Sequence, residues 1–102
     1  MADDYKDERS AALGYIKTTL DKLTNKQLDT YARMVQVSLE ANNIKTKLGV
    51  KQPRGFLMGY IRNYSDRMTN AQIKPMVYDM IAIVDDNHFW HLYERENWQE
   101  AW

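Results

Sequence analysis

His88 and His91 stand three residues apart, with Asp85 and Glu94 each three residues further out. On a helix that spacing gathers four potential metal ligands near one side. A helix-borne centre also needs ligands from a second helix, and the sequence offers no second cluster, so no metal site is expected. Nucleophilic catalysis requires a hydroxyl or amine held by a base and an orienting acid. Ser10, Ser38 and Ser65 fall in helical contexts, with no turn to present them. The carboxylate pairs Asp3-Asp4 and Asp85-Asp86 read as helix-end capping and solvation. Gly55-x-x-x-Gly59 lies inside a helical pattern and lacks the lysine of a phosphate loop. With no catalytic residue, metal or cofactor expected, the chain reads as a binding protein and not as an enzyme.

The chemistry that remains is charge. The 102 residues carry 14 basic and 14 acidic side chains, but the two signs are segregated. Residues 44–78 hold Lys45, Lys47, Lys51, Arg54, Arg62, Arg67 and Lys74 against Asp66 alone. The segment after residue 78 holds Arg95 against Asp79, Asp85, Asp86, Glu94, Glu96 and Glu100. A basic stretch attracts polyanions, because each phosphate it neutralises releases counterions. An acidic tail can compete for that stretch or engage a partner of its own. Lys45, Lys47, Lys51, Arg54, Arg62 and Arg67 are therefore the candidate phosphate contacts, and Tyr60 and Tyr64 would add base stacking if exposed.

A second candidate surface is apolar. Met58 is expected on the outer face of its helix between Arg54 and Arg62. Gly59, mid-helix, costs about 1 kcal/mol relative to alanine, so its presence implies close approach by another group, such as a second backbone or a phosphate chain. Trp98 and Trp102, four residues apart on the acidic tail, could anchor a protein partner. The alternative function is accordingly an adaptor or inhibitor of a host factor, acting through that tail.

Residues 50–64, Val50-Lys51-Gln52-Pro53-Arg54-Gly55-Phe56-Leu57-Met58-Gly59-Tyr60-Ile61-Arg62-Asn63-Tyr64, resemble a stretch of phage and plasmid replication-initiation proteins with DnaD-like helices. In that pattern a basic loop leads into a helix with aromatic or aliphatic residues four apart and a basic-Asn pair before the last aromatic. Here Phe56, Tyr60 and Tyr64 with Arg62-Asn63 take those positions. Tyr60 replaces the usual aliphatic residue, and Tyr64 stands where tryptophan is typical. The resemblance implies a helical accessory that contacts DNA or a replication partner through this helix, in a phage or mobile element.

The elements that must position these residues are helical. Leu13, Ile16, Leu20 and Leu23 mark one face of a first helix over about 5–22. Thr24 and Gln27 form a capping box that opens a second helix over about 25–43, with Leu28, Tyr31, Ala32, Val35 and Leu39 inward. A basic loop, 44–52, precedes a third helix opened by Pro53, with Phe56, Leu57, Tyr60, Ile61 and Tyr64 on one face. Thr69-x-x-Gln72 repeats the capping box before Ile73, Met76, Val77, Met80, Ile81 and Val84. Pro75 lacks the N–H for an interior bond, so this helix is expected to start at Lys74–Pro75. Asp85-Asp86-Asn87 then ends it or caps a fifth, short helix.

No segment alternates with the period of a strand, and no internal repeat is expected. Residues 1–102 are read as one all-α domain: a four-helix bundle with an aromatic, acidic C-terminal helical appendage. The length suits one domain burying roughly two-thirds of its unfolded surface. The lack of cysteine and of a leader or membrane-length apolar run leads to an expected cytoplasmic location.

Overall fold

A computed structural model describes the backbone of residues 2–97 and the side chains of residues 8–85. It contains four α-helices: α1 Ala2–Thr19, α2 Asn25–Ala41, α3 Arg54–Tyr64 and α4 Asn70–Asn97. Single 3-10 turns at Leu20–Lys22 and Ser65–Arg67 close α1 and α3. The described residues include no strand.

Both capping boxes form. The Gln27 N–H donates to the Thr24 hydroxyl at 3.1 Å, and the Thr24 N–H donates back to the Gln27 side chain at 2.9 Å. Thr69 and Gln72 make the same pair at 3.2 and 2.9 Å. Here the structure corrects the expected start at Lys74–Pro75, since α4 begins at Asn70 with Pro75 inside it. The Gln72 and Ile73 N–H groups reach the Thr69 carbonyl at 3.0 and 2.9 Å, so the first turn closes before the proline arrives. Proline then forfeits one bond, to the carbonyl four residues back. Pro53 is also displaced by one position. It is the extended N-cap of α3, with ψ 157°, and Arg54 is the first helical residue. Asp85-Asp86-Asn87 neither ends α4 nor starts a fifth helix, because α4 continues as one helix to Asn97.

The end of α2 is defined by hydrogen bonds. The Ile44 N–H donates to the Leu39 carbonyl at 2.8 Å and the Asn43 N–H to the Glu40 carbonyl at 2.9 Å. Asn43 sits at φ 66°, among the described residues the one non-glycine with positive φ. This is a Schellman end with asparagine in the left-handed position, and Ile44 folds back onto the core beside it.

The core takes Ile16, Leu20 and Leu23 from the first helix and its turn. It takes Leu28, Tyr31, Ala32, Val35 and Leu39 from α2, Leu57, Tyr60 and Ile61 from α3, and Ile73, Met76 and Met80 from α4. Expectation and structure part at the edges of the stripes. Phe56 is 45% exposed and Ile81 40% exposed. Met58, expected outward, is half-buried and packs against the core.

Arg54, at the start of α3, reaches Asn25 at the start of α2. Asn42, just past the end of α2, reaches the Arg67 carbonyl beyond the end of α3. The two helices therefore run in the same direction. The linker 42–53 must retrace the length of α2, about 24 Å at 1.5 Å per residue. It does so extended, with Ile44, Thr46 and Leu48 turned inward and Lys45, Lys47 and Gly49 outward. The stretch alternates with period two after all, but it lies on helices and pairs with no strand.

The chain also contains the repeat that was not expected. Shifting the sequence by 45 residues places 14–28 over 59–73. Gly14, Tyr15, Ile16, Asp21, Thr24, Asn25 and Gln27 then fall on Gly59, Tyr60, Ile61, Asp66, Thr69, Asn70 and Gln72, seven identities in fifteen positions. Lys17/Arg62, Lys22/Arg67, Leu23/Met68 and Leu28/Ile73 are near matches. The same shift carries Arg9 onto Arg54, and it carries the hairpin α1–α2 onto α3–α4. The repeat is inconspicuous because its fixed positions are scattered through a turn and its apolar positions exchange freely.

Candidate functional site

The linker and α3 together frame a groove. Thr46, on the inward side of the linker, hydrogen-bonds the Tyr60 hydroxyl, fastening the extended chain to α3. Arg33 fastens it to α2. Its guanidinium donates to the carbonyls of Gly49 and Val50, the latter at 3.0 Å, and reaches that of Leu48 at 3.5 Å. Asp29 holds the same guanidinium by two bonds of 3.3 and 3.2 Å. Carbonyl oxygens are good partners for a fork of N–H donors, so a single arginine staples three consecutive linker residues.

Between linker and helix lies a cleft of about 670 Å³, lined by Lys45, Thr46, Lys47, Phe56, Gly59, Tyr60, Asn63 and Tyr64. Among the described residues no carboxylate lines it. Lys45 and Lys47 are exposed, Phe56 presents much of its ring, and Tyr64 is half-buried. Tyr60 and Tyr64 rings lie 4.8 Å apart at 45°. The Arg67 guanidinium sits 5.6 Å above Tyr64, within cation–π range. Burial raises the Tyr60 pKa above its ordinary value, opposed by the Thr46 hydrogen bond; Tyr64 and Glu40 push it further up. Tyr60 is thus the floor of the cleft, a neutral phenol 4% exposed, and not a stacking platform.

The structure divides the remaining candidates. Lys51 is exposed on the linker but does not line the cleft. Arg54 is occupied: it donates to the Asn25 side chain and the Asp21 carbonyl, both at 3.1 Å. Arg62 remains exposed, 3.9 Å from Asp21. Gly59 borders the cleft with open space where a Cβ would stand, so no close contact among the described residues explains it. Phe56 and Asn63 also line the cleft; the sequence places both in the resemblance over residues 50–64 but not among the candidate phosphate or stacking contacts. The signal for Phe56 was its place at the edge of the apolar stripe, and for Asn63 its place beside Arg62.

Trp98 and Trp102 lie outside the described residues, as do the side chains of His88 and His91. Among the described residues no group of three or more His, Asp or Glu could hold a metal ion, and no helix is long and apolar enough to cross a membrane. A second cleft, between α2 and α4, mixes Asp29, Arg33 and Asp79 with Met34, Val37 and Pro75. Arg33 and Asp29 are already paired with each other there, leaving Asp79 as the one further charge among its described lining residues. No family model, curated protein or solved structure matches this chain.

Proposed function

We propose that the chain is a small non-enzymatic module, its four helices packed as one bundle, that binds single-stranded nucleic acid in the cleft between linker and α3. Its place would be that of a replication-associated accessory. The observation that carries this reading is the composition of the cleft: two exposed lysines and an exposed aromatic edge, with no carboxylate among the described residues. Single-strand binders combine positive charge along the backbone with rings on which bases stack, each base contributing about 1–3 kcal/mol. Lys45 and Lys47 would contact phosphates, with Lys51, Arg62 and Arg67 flanking. Phe56 and Tyr64 would carry the stacking.

The test is fluorescence anisotropy with labelled single-stranded DNA and RNA across a salt series. Two or three phosphate contacts give a log–log salt slope of about −1.4 to −2. Phe56→Ala should weaken binding tenfold or more. Gly59→Ala and Gly14→Ala form a matched pair, since both glycines are helical with nothing within 4 Å of the added carbon. Each should stabilise the fold by about 1 kcal/mol, but only Gly59→Ala should weaken binding. Salt-independent binding, or none at low ionic strength, refutes the reading.

A further inference from the structure

The repeat extends from the sequence into the contacts. Arg9 donates to the Asn70 side chain at 2.6 Å and to the carbonyls of Asp66 and Met68 at 2.7 and 2.9 Å. Shifted by 45 residues, the first two contacts become those of Arg54 with Asn25 and the Asp21 carbonyl. The ion pair Lys17–Asp66, at 2.8 Å, becomes Arg62–Asp21, at 3.9 Å. Each hairpin therefore carries a donor set on its first helix and an acceptor set at its turn, and each fills the other's. The buried positions correspond as well: Ile16 with Ile61, Leu23 with Met68, Leu28 with Ile73, Val35 with Met80. Tyr31 and Met76 also correspond, and the Tyr31 hydroxyl donates to the Met76 carbonyl across the centre of the interface. Position 31 thus meets its own equivalent, as a position near a two-fold axis does.

This is the geometry of an isologous interface, in which one patch pairs with a copy of itself. We infer that the inner face of each hairpin is a docking surface for a second copy of this chain, reached by exchange of hairpins. In that dimer α1–α2 of one chain pairs with α3–α4 of the other, and the reverse. Among the described residues, the contacts that exchange leaves open are those of the linker. Exchange keeps the Arg9, Arg54, Lys17 and Arg62 contacts, because their partners all lie on the opposite hairpin. In the intact chain the linker decides against it, since a tethered hairpin faces an effective concentration in the millimolar range. The inference does not depend on the cleft or its ligand.

Removing residues 45–52 isolates the linker's part. Residues 42, 43, 44 and 53 then span at most about 17 Å from Ala41 to Arg54, short of the roughly 24 Å that α2 occupies. The shortened full chain should be a dimer by light scattering, with the helical signal of the intact protein. Location is read from thiols, which the chain itself lacks. Lys17→Cys on one shortened chain and Asp66→Cys on another should cross-link with a short bismaleimide after refolding as a mixture. The intact chains, mixed at micromolar concentration, should not cross-link. A shortened chain that stays monomeric, loses its helicity, or dimerises without the 17–66 cross-link overturns the inference.

Discussion

Tyr31→Phe separates two contributions of one buried hydroxyl. The Tyr31 side chain is fully enclosed and donates to the Met76 carbonyl at 2.7 Å. Phenylalanine keeps the ring and its packing, so at pH 7 the loss is one hydrogen bond, about 1 kcal/mol net. Alkaline pH reverses the balance. Burial, and after it the charge of Asp79 and then Tyr15, raises the Tyr31 pKa far above its ordinary value of 10.0. Below pH 10 the phenol is protonated in both states and the full stability is present. Above pH 10 the unfolded chain releases the proton while the native chain retains it. Stability then falls with a slope approaching about 1.4 kcal/mol per pH unit. By pH 11 the wild type has lost about 1.4 kcal/mol that the variant keeps, so Tyr31→Phe becomes the more stable protein between about pH 10 and 11. Urea denaturation of both proteins, followed by far-ultraviolet circular dichroism at pH 7, 9, 10 and 11, measures the crossing. Taking the difference between the two proteins at each pH removes the effects of alkali common to both. A stability gap unchanged from pH 7 to pH 11 would show that Tyr31 ionises freely in the native state, and the reasoning would be wrong.

Ser65 is fully buried with its hydroxyl unpartnered among the described residues, so Ser65→Ala should raise stability by about 1 kcal/mol, read as a higher denaturation midpoint. Asn43 at φ 66° predicts opposite signs for two small replacements. Asn43→Gly should be neutral or stabilising, and Asn43→Ala should cost about 1 kcal/mol in the same measurement. Arg9→Ala should destabilise more than Arg54→Ala, by about 2 against 1 kcal/mol, because Arg9 makes three shorter hydrogen bonds and Arg54 two longer ones. Arg33→Ala should release the linker while α2 and α3 stay paired, seen as faster limited proteolysis at Lys45, Lys47 and Lys51.

Periodicity made most of the helices legible, because every inward position of α2 and the spacing of Ile16, Leu20 and Leu23 follow a single face. It failed where two local rules competed. At Thr69–Pro75 the capping box and the proline give different starts, and the box prevails because its bonds form upstream of the ring. At Asp85–Asn87 a run of cap-forming residues sits in a helix that simply continues. The apolar stripe of α3 is continuous on a wheel, but only Leu57, Tyr60 and Ile61 meet the core; Phe56 and Tyr64, at its margins, flank the cleft. Charge was legible in sign and not in partner. The charge pattern offers Arg54 and Arg62 to phosphate, yet the groups beside them, Asp21 and Asn25, lie far away in the chain. Those partners become visible only through the 45-residue repeat. That repeat is carried by the shared Thr-Asn-x-Gln and the Asp-Lys or Asp-Arg before it.

The linker's fastening to one side of the molecule has a consequence for how such a protein can change. In a symmetric dimer every substitution is expressed twice, once on each side of the axis, so neither side can be altered alone. Joining the two hairpins in one chain removes that obligation. Phe56 and Tyr64 occupy positions where the other hairpin has Ala11 and Thr19, while the arginines, aspartates and asparagines of the pairing surface stay the same on both sides. One half can acquire a new surface while both halves together keep the old agreement that holds them.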